Sequence, residues 1–114
     1  MIDKREAKNL RGRLEEVARG LQPDQRLWLE VHSLRHRRYG RRWKGVICQH
    51  EEVTAVFAGR NPQGAVFGLD YPSQLPEWLD ALGVRPVEPM PDDWNTIMFF
   101  GCDVEVLEKE TARS

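Results

Sequence analysis

A basic and aromatic segment from Arg35 to Lys44 carries the strongest chemical signal in the sequence. It holds six Lys or Arg in ten residues, with two aromatic residues among them. Its candidate binding residues are Arg35, Arg37, Arg38, Tyr39, Arg41, Arg42, Trp43 and Lys44. Guanidinium groups bind carboxylate and phosphate oxygens through paired hydrogen bonds, and aromatic faces stack on exposed bases. The segment therefore predicts contact with an acidic protein surface or with nucleic acid.

Two features of the sequence bear on the choice of partner. The whole chain is not basic, since its pI is about 6.3. Its acidic residues would repel a long duplex, so an acidic partner protein is favoured and nucleic acid is the alternative. A third interpretation needs no partner, because Glu30, Glu51 and Glu52 could neutralise the arginines within the chain.

Four residues have side chains of the types that bind zinc. On a helix His32 and His36 would share one face, and on a strand Cys48 and His50 would point the same way. The spacing matches no known zinc signature, and the neighbouring arginines would repel a cation. We therefore expect neither a metal nor another cofactor, and we expect Cys48 to be a buried core residue.

No catalytic motif is recognisable. Cys48 and His50 could serve as nucleophile and base, but no oxyanion loop or third orienting residue accompanies them. Trp94 follows a Pro-Asp-Asp connector, where a partly exposed indole could anchor a partner. The sequence thus favours a small non-enzymatic binding protein, such as a regulator, adaptor or inhibitor. An enzyme or metalloprotein is the least supported class.

Charge is distributed unevenly along the 114 residues. The chain has a net charge of −1. Residues 1–50 carry +7 and residues 51–114 carry −8. Complementary halves of this kind could also meet across two copies of the chain, so a homo-oligomer is a further expectation.

The composition indicates an ordered protein without a membrane span. It is 40% hydrophobic and 31% charged, which is typical of a globular domain. No purely apolar run is longer than residues 97–100, which fall far short of the roughly 20 residues of a membrane-spanning helix. Secreted domains of this size that depend on disulfides usually have more cysteines than Cys48 and Cys102, so we expect a cytoplasmic protein. The sequence leaves open whether these two cysteines pair.

The N-terminal 39 residues are expected to form two helices. Asp3 is a suitable N-cap, apolar residues recur every three or four positions from Ala7 onward, and Gly20 suits a left-handed end. The segment 23–39 fits a helix with a basic end. It also fits a strand, because apolar and polar residues alternate from Leu27, but the helix accounts for both ends and is favoured.

The remainder of the chain predicts a sheet and one short helix. Residues 46–48, 53–57 and 65–69 are expected to form a three-stranded meander. A helix over 74–82 should end at Gly83, and a proline-rich connector should follow. Residues 96–100 and 104–107 are then expected to be two strands joined by a turn at Gly101 and Cys102.

Together these predictions describe a single α+β domain over residues 1–114. Two N-terminal helices, in the region 3–39, would pack on a four- to five-stranded antiparallel sheet in the region 43–108. The helix over 74–82 would cover part of the same face. Residues 109–114 would be a polar tail.

Overall fold

The first helix begins and ends where local signals place it. The computed structural model describes residues 2–38, 40–94 and 98–107, without the side chain of His36. Helix α1 spans Lys4–Arg19, and the Asp3 carboxylate accepts hydrogen bonds from the backbone N–H groups of Arg5 and Glu6 at 2.9 and 3.2 Å. The left-handed ending expected at Gly20 is wrong: its φ is −91°, and its N–H donates to the Val17 carbonyl in a tight last turn.

The described strands form one antiparallel sheet in the order β3-β2-β1-β5-β4. The elements after α1 are β1 (Leu27–His36), β2 (Gly40–Gln49), α2 (His50–Phe57), β3 (Gly64–Leu69), a 3-10 turn (Pro72–Gln74), α3 (Leu75–Leu82), β4 (Val84–Pro86) and β5 (Phe99–Val106). This is an α+β fold with a five-stranded sheet.

The second N-terminal helix expected over residues 23–39 is wrong, because this segment contains β1. Leu27, Leu29 and Val31 are buried on one face of the sheet, in the period of two that defines a strand. A helix would have left Leu29 off its apolar stripe. The strand buries all three residues, and β2 and β5 satisfy its backbone on both sides.

The middle strand of the expected meander is also wrong. Residues 53–57 lie in α2, where Val53 and Val56 are buried one helical turn apart. Glu51 and Glu52 in the first turn interact favourably with the helix dipole. Burial of the two valines against the sheet outweighs their weak preference for strands.

The two strands expected near the C-terminus are one continuous strand, β5. Gly101 lies inside it rather than at a turn, and a Cβ there would come within 2.7 Å of the Trp28 indole. The glycine is therefore explained by the close approach of an aromatic ring across the sheet. Thr96 and Ile97, which were included in the expected strand, lie outside the described residues.

The expected helix over 74–82 is confirmed as α3, and Gly83 ends it with a left-handed φ of 68°. Helices α1 and α3 pack on the face of the sheet that bears Leu29 and Ile47 and form the main core with it. Helix α2 packs on the opposite face.

A smaller core lies beneath α2, and its buried members are Val46, Cys48, Val53 and Val56. Cys102, in contrast, is buried in the main core. The two cysteines are free thiols, and because they occupy opposite faces of the sheet they do not form a disulfide.

Candidate functional site

The basic segment forms the projecting end of the β1–β2 hairpin. The two strands pair from Leu27 opposite Gln49 to His36 opposite Gly40. Among the described residues, their neighbours pair over a shorter length: β5 pairs with β1 as far as His32, and β3 pairs with β2 as far as Trp43. Residues 34–42, called the arm below, therefore extend beyond the sheet as a two-stranded ribbon.

Gly40 allows the ribbon to turn, because its φ of 77° lies in the left-handed region that other residues rarely adopt. The arm places arginines on both of its faces, since side chains alternate along each strand. Arg35 and Arg41 are opposite each other on the α1 side, and Arg42 is opposite Leu34 on the α2 side. Tyr39 lies outside the described residues.

The cations of the arm have few acidic neighbours in the described part of the chain. Arg42 forms an ion pair with Asp70 at 3.6 Å, and both side chains are substantially exposed. Arg41 donates to the Met98 sulfur at 3.4 Å. Arg35 and Arg37 are exposed and form no ion pair with any described residue.

The alternative interpretation, in which Glu30, Glu51 and Glu52 neutralise the segment, has no support among the ion pairs of the described residues. Among the described residues, Glu51 and Glu52 form no ion pair with the arm. The Glu30 carboxylate is already hydrogen-bonded: the Trp28 Nε1–H donates to it at 2.8 Å, and His32 Nε2 lies 2.7 Å from its other oxygen. Arg35 and Arg37, which form no ion pair with a described residue, are therefore the arm cations best placed to meet an outside ligand.

An apolar patch lies at the base of the arm, on the sheet face that α2 only partly covers. His32 is at its centre, with the Phe57 ring 4.3 Å and the Phe99 ring 5.0 Å from its own. Leu34 continues the same face of β1. Leu34, Phe57 and Phe99 are 44%, 46% and 52% exposed. These four residues are called the His32 patch below.

One basic residue of the segment borders this patch. Lys44 is opposite His32 on β2, and its ammonium group lies 5.8 Å from the centre of the Phe57 ring. A cation over an aromatic face is held by the quadrupole of the ring. The patch therefore combines exposed apolar surface with a positive edge.

The two tryptophans near the segment lie on the other face. Trp43 is only 5% exposed, and its ring packs edge-on against Trp94 at 6.1 Å. Trp94, which is half-buried, also contacts Phe100 at 5.8 Å. Trp43 thus packs the base of the arm into the core, and Trp94 covers the Trp43 ring.

The four candidate metal ligands do not converge. On β1, His32 and His36 are separated by four strand residues, about 13 Å, rather than by one helical turn. Cys48 is buried, and His50 begins α2, where its ring packs against Trp28 at 4.8 Å. The residues that the structure describes contain no group of three or more His, Cys, Asp or Glu placed to hold a metal ion.

Cys48 is also poorly suited to act as a nucleophile. Burial raises the pKa of its thiol to about 12, and the nearby carboxylates of Glu52 and Glu30 contribute to the shift. The thiol therefore stays protonated at neutral pH, and the thiolate is the reactive form.

The His32 patch is the part of the candidate site that the sequence does not predict. Its members come from β1, from the end of α2 and from the start of β5. The start of β5 is brought close to the other two only by the pairing of His32 with Phe99. The one available signal was the pair of adjacent phenylalanines at 99 and 100, because alternation along a strand must leave one of them off the main core.

No family model, curated protein or solved structure matches this chain. Within residues 2–38, 40–94 and 98–107, no helix combines the length and apolarity needed to cross a bilayer.

Proposed function

We propose that this chain is a small non-enzymatic binding protein that engages an acidic partner protein through residues 35–44. The projection of the arm beyond the sheet, with arginines exposed on a two-stranded ribbon, carries the proposal. Exposed charge at this density steers association with an oppositely charged surface. An adaptor, regulator or inhibitor would use such a surface.

The apolar surface beside the arm supports a protein partner. Protein interfaces combine apolar contacts at their centre with charged residues at the rim. The His32 patch supplies the first feature and the arm supplies the second. A nucleic acid backbone would use the arginines but would gain little from Leu34 and Phe57.

Nucleic acid is the second candidate because of the shape of the arm. The major groove of B-DNA admits a two-stranded β-ribbon, and arginines on such a ribbon can reach phosphates and guanine edges. The two candidates differ in their response to salt, since phosphate contacts release counterions and give a steep dependence on ionic strength.

Charge reversal at Arg35 and Arg37, which are exposed and form no ion pair with any described residue, tests the proposal. We expect Arg35→Glu with Arg37→Glu to abolish capture of the natural partner from host lysate, because a repulsive charge replaces an attractive one. The matched control is Arg5→Glu with Arg19→Glu, two exposed changes on α1. Equal capture by the arm variant and the wild type would contradict the proposal.

Fluorescence anisotropy with labelled single- and double-stranded oligonucleotides tests the alternative. Salt-sensitive binding that the same arm variant removes would support a nucleic-acid partner instead. A lack of binding at micromolar protein would exclude it.

Two further parts of the proposal concern the setting. The free, buried thiols of Cys48 and Cys102 are compatible with a reducing cytoplasmic compartment. A second copy of the chain is also a candidate source of acidic surface, because acidic residues lie at the end of the sheet remote from the arm.

A further inference from the structure

The sheet face that bears the His32 patch has room for a second helix beside α2. With only eight residues, α2 packs over Trp28, Val46, Cys48 and Val66. The same face continues along β1 through His32 and Leu34, and across β5 to Phe99. Over this part of the sheet the phenylalanine rings and the leucine remain about half exposed.

The backbone beneath the patch is not available for strand addition. As far as His32, strand β1 has β2 on one side and β5 on the other, and the Ser33 N–H donates to the Met98 carbonyl at 3.0 Å. A ligand on this face must therefore recognise side chains. A helix suits that requirement, because it satisfies its own backbone and presents an apolar stripe.

The charge around the patch selects the kind of helix. Lys44 lies at its edge, and Arg42, which is ion-paired with Asp70, is opposite Leu34 on the same face of the hairpin. The carboxylate nearest to the centre, Glu30, is hydrogen-bonded to Trp28 and His32. A ligand with acidic residues flanking its apolar stripe would complement this arrangement.

We infer that the His32 patch seats the apolar stripe of an acidic amphipathic helix, whose carboxylates face Lys44 and the arm. The inference rests on the proposed function, and it adds the form of the partner and the residues that bind it. The helix would lie across the sheet next to α2, with its apolar residues on Phe57, Phe99 and Leu34. The His32 ring, which is hydrogen-bonded to Glu30, would lie beneath the bound helix.

A synthetic peptide tests the inference without the natural partner. The probe is a labelled helix of Leu, Glu and Ala, about five turns long, with leucines at one-turn spacing on one face. We compare it with a scrambled peptide of the same composition and with a version carrying Gln in place of Glu. We expect the first peptide to bind measurably more tightly than both, as followed by fluorescence anisotropy at low salt.

Truncation of the patch should weaken binding of this peptide. We expect Leu34→Ala and Phe99→Ala each to weaken peptide binding about tenfold, because each substitution removes an apolar contact from the His32 patch. The control is Val87→Ala, an exposed apolar residue whose N–H bonds to the Asp103 carbonyl at the other end of the sheet. Thermal unfolding of each variant verifies that it is folded.

The outcomes separate this inference from the proposed function. If the arm variant with Glu at 35 and 37 loses binding while Leu34→Ala and Phe99→Ala do not, the inference is wrong and the arm proposal stands. If only the patch variants lose binding, the patch binds the helix without the arm, and capture of the natural partner by the arm variant tests the arm proposal separately.

Three results would overturn the inference in other ways. The first is an absence of binding by the wild type, and the second is equal binding of the scrambled peptide. The third is self-association of the protein that Phe99→Ala removes, because the occupant would then be a second copy. Sedimentation at increasing protein concentration detects this last case.

Discussion

At the scale of single residues, Cys48 shows how its surroundings decide what a reactive side chain does. Its thiol lies between the sheet and α2, in contact with valines, and two glutamates are close enough to raise its pKa further. The sulfur therefore behaves as a small apolar group that fills the minor core. Its ionisation would place a charge in an apolar, already negative environment.

The raised pKa predicts a loss of stability in alkaline solution. The unfolded thiol ionises near 9.0 and the folded one near 12, so between these values the unfolded state releases a proton that the folded state keeps. The free energy of unfolding should fall as pH rises through this window, by at most about 1.4 kcal/mol per pH unit for one thiol. Urea denaturation at a series of pH values measures the slope.

Two variants test whether Cys48 causes this dependence of the free energy of unfolding on pH. Cys48→Ala should lose about 1–2 kcal/mol of stability near neutral pH by leaving a cavity, yet decline less steeply above pH 9. Val53→Ala, in the same core, should be destabilised while keeping the wild-type slope. Part of the slope will remain in Cys48→Ala, because burial also raises the pKa of Cys102. Equal slopes in all three proteins would contradict the assignment.

Among the secondary-structure elements, the β1–β2 hairpin differs along its length in how many neighbouring strands support it. From Leu27 to His32, β1 has a hydrogen-bonded neighbour on each side. Beyond Ser33, no other described strand pairs with either of them. A two-stranded ribbon is marginally stable alone in water, so the arm depends on its anchored base, where Trp43 is buried.

Hydrogen exchange should reveal the boundary between the arm and the base of the hairpin. We expect backbone amides in residues 34–36 and 40–42 to exchange at least about 100-fold faster than those in 28–32 and 44–48, because local opening of the arm exposes little apolar surface. Mass spectrometry of proteolytic fragments, or NMR at single residues, measures the ratio. Uniform protection along both strands would show that the arm is held by contacts beyond the hairpin.

At the scale of the whole molecule, the sheet register separates much of the charge. Asp103 is opposite Trp28, seven residues along β1 from Arg35, which corresponds to about 23 Å. Glu105 lies farther in the same direction, paired with Arg85. The described residues extend over 48 × 29 × 26 Å, and the carboxylates of Asp103 and Glu105 lie toward the end of the sheet opposite the arm.

This dipolar arrangement predicts weak attraction between copies at low salt. A basic end and an acidic end favour head-to-tail contacts, and mobile ions screen them. We expect static light scattering to show a negative second virial coefficient at low ionic strength that rises toward zero when salt is added. The variant with Arg35→Glu and Arg37→Glu should lose most of this effect. A coefficient that does not respond to salt would contradict the prediction.

Features that local chemistry controls can be predicted from the amino-acid sequence alone. The N-cap at Asp3 and the spacing of apolar residues predicted α1, and Gly83 correctly marked the end of α3. The cationic character of residues 35–44 also follows from residue types alone, because six charges in ten residues cannot be packed inside a core of this size. These signals act within a few residues of one another.

Features that depend on distant partners are fixed when the strands pair and the helices pack on the sheet. Residues 27–34 fit both a helix and a strand, and pairing with β2 and β5 selects the strand. Burial against the sheet makes residues 53–57 helical, and the approach of Trp28 explains Gly101. The His32 patch arises in the same way, because β1 brings together side chains from α2 and β5. Pairing and burial are non-local free energies, and they override local preferences of about 1 kcal/mol or less per residue.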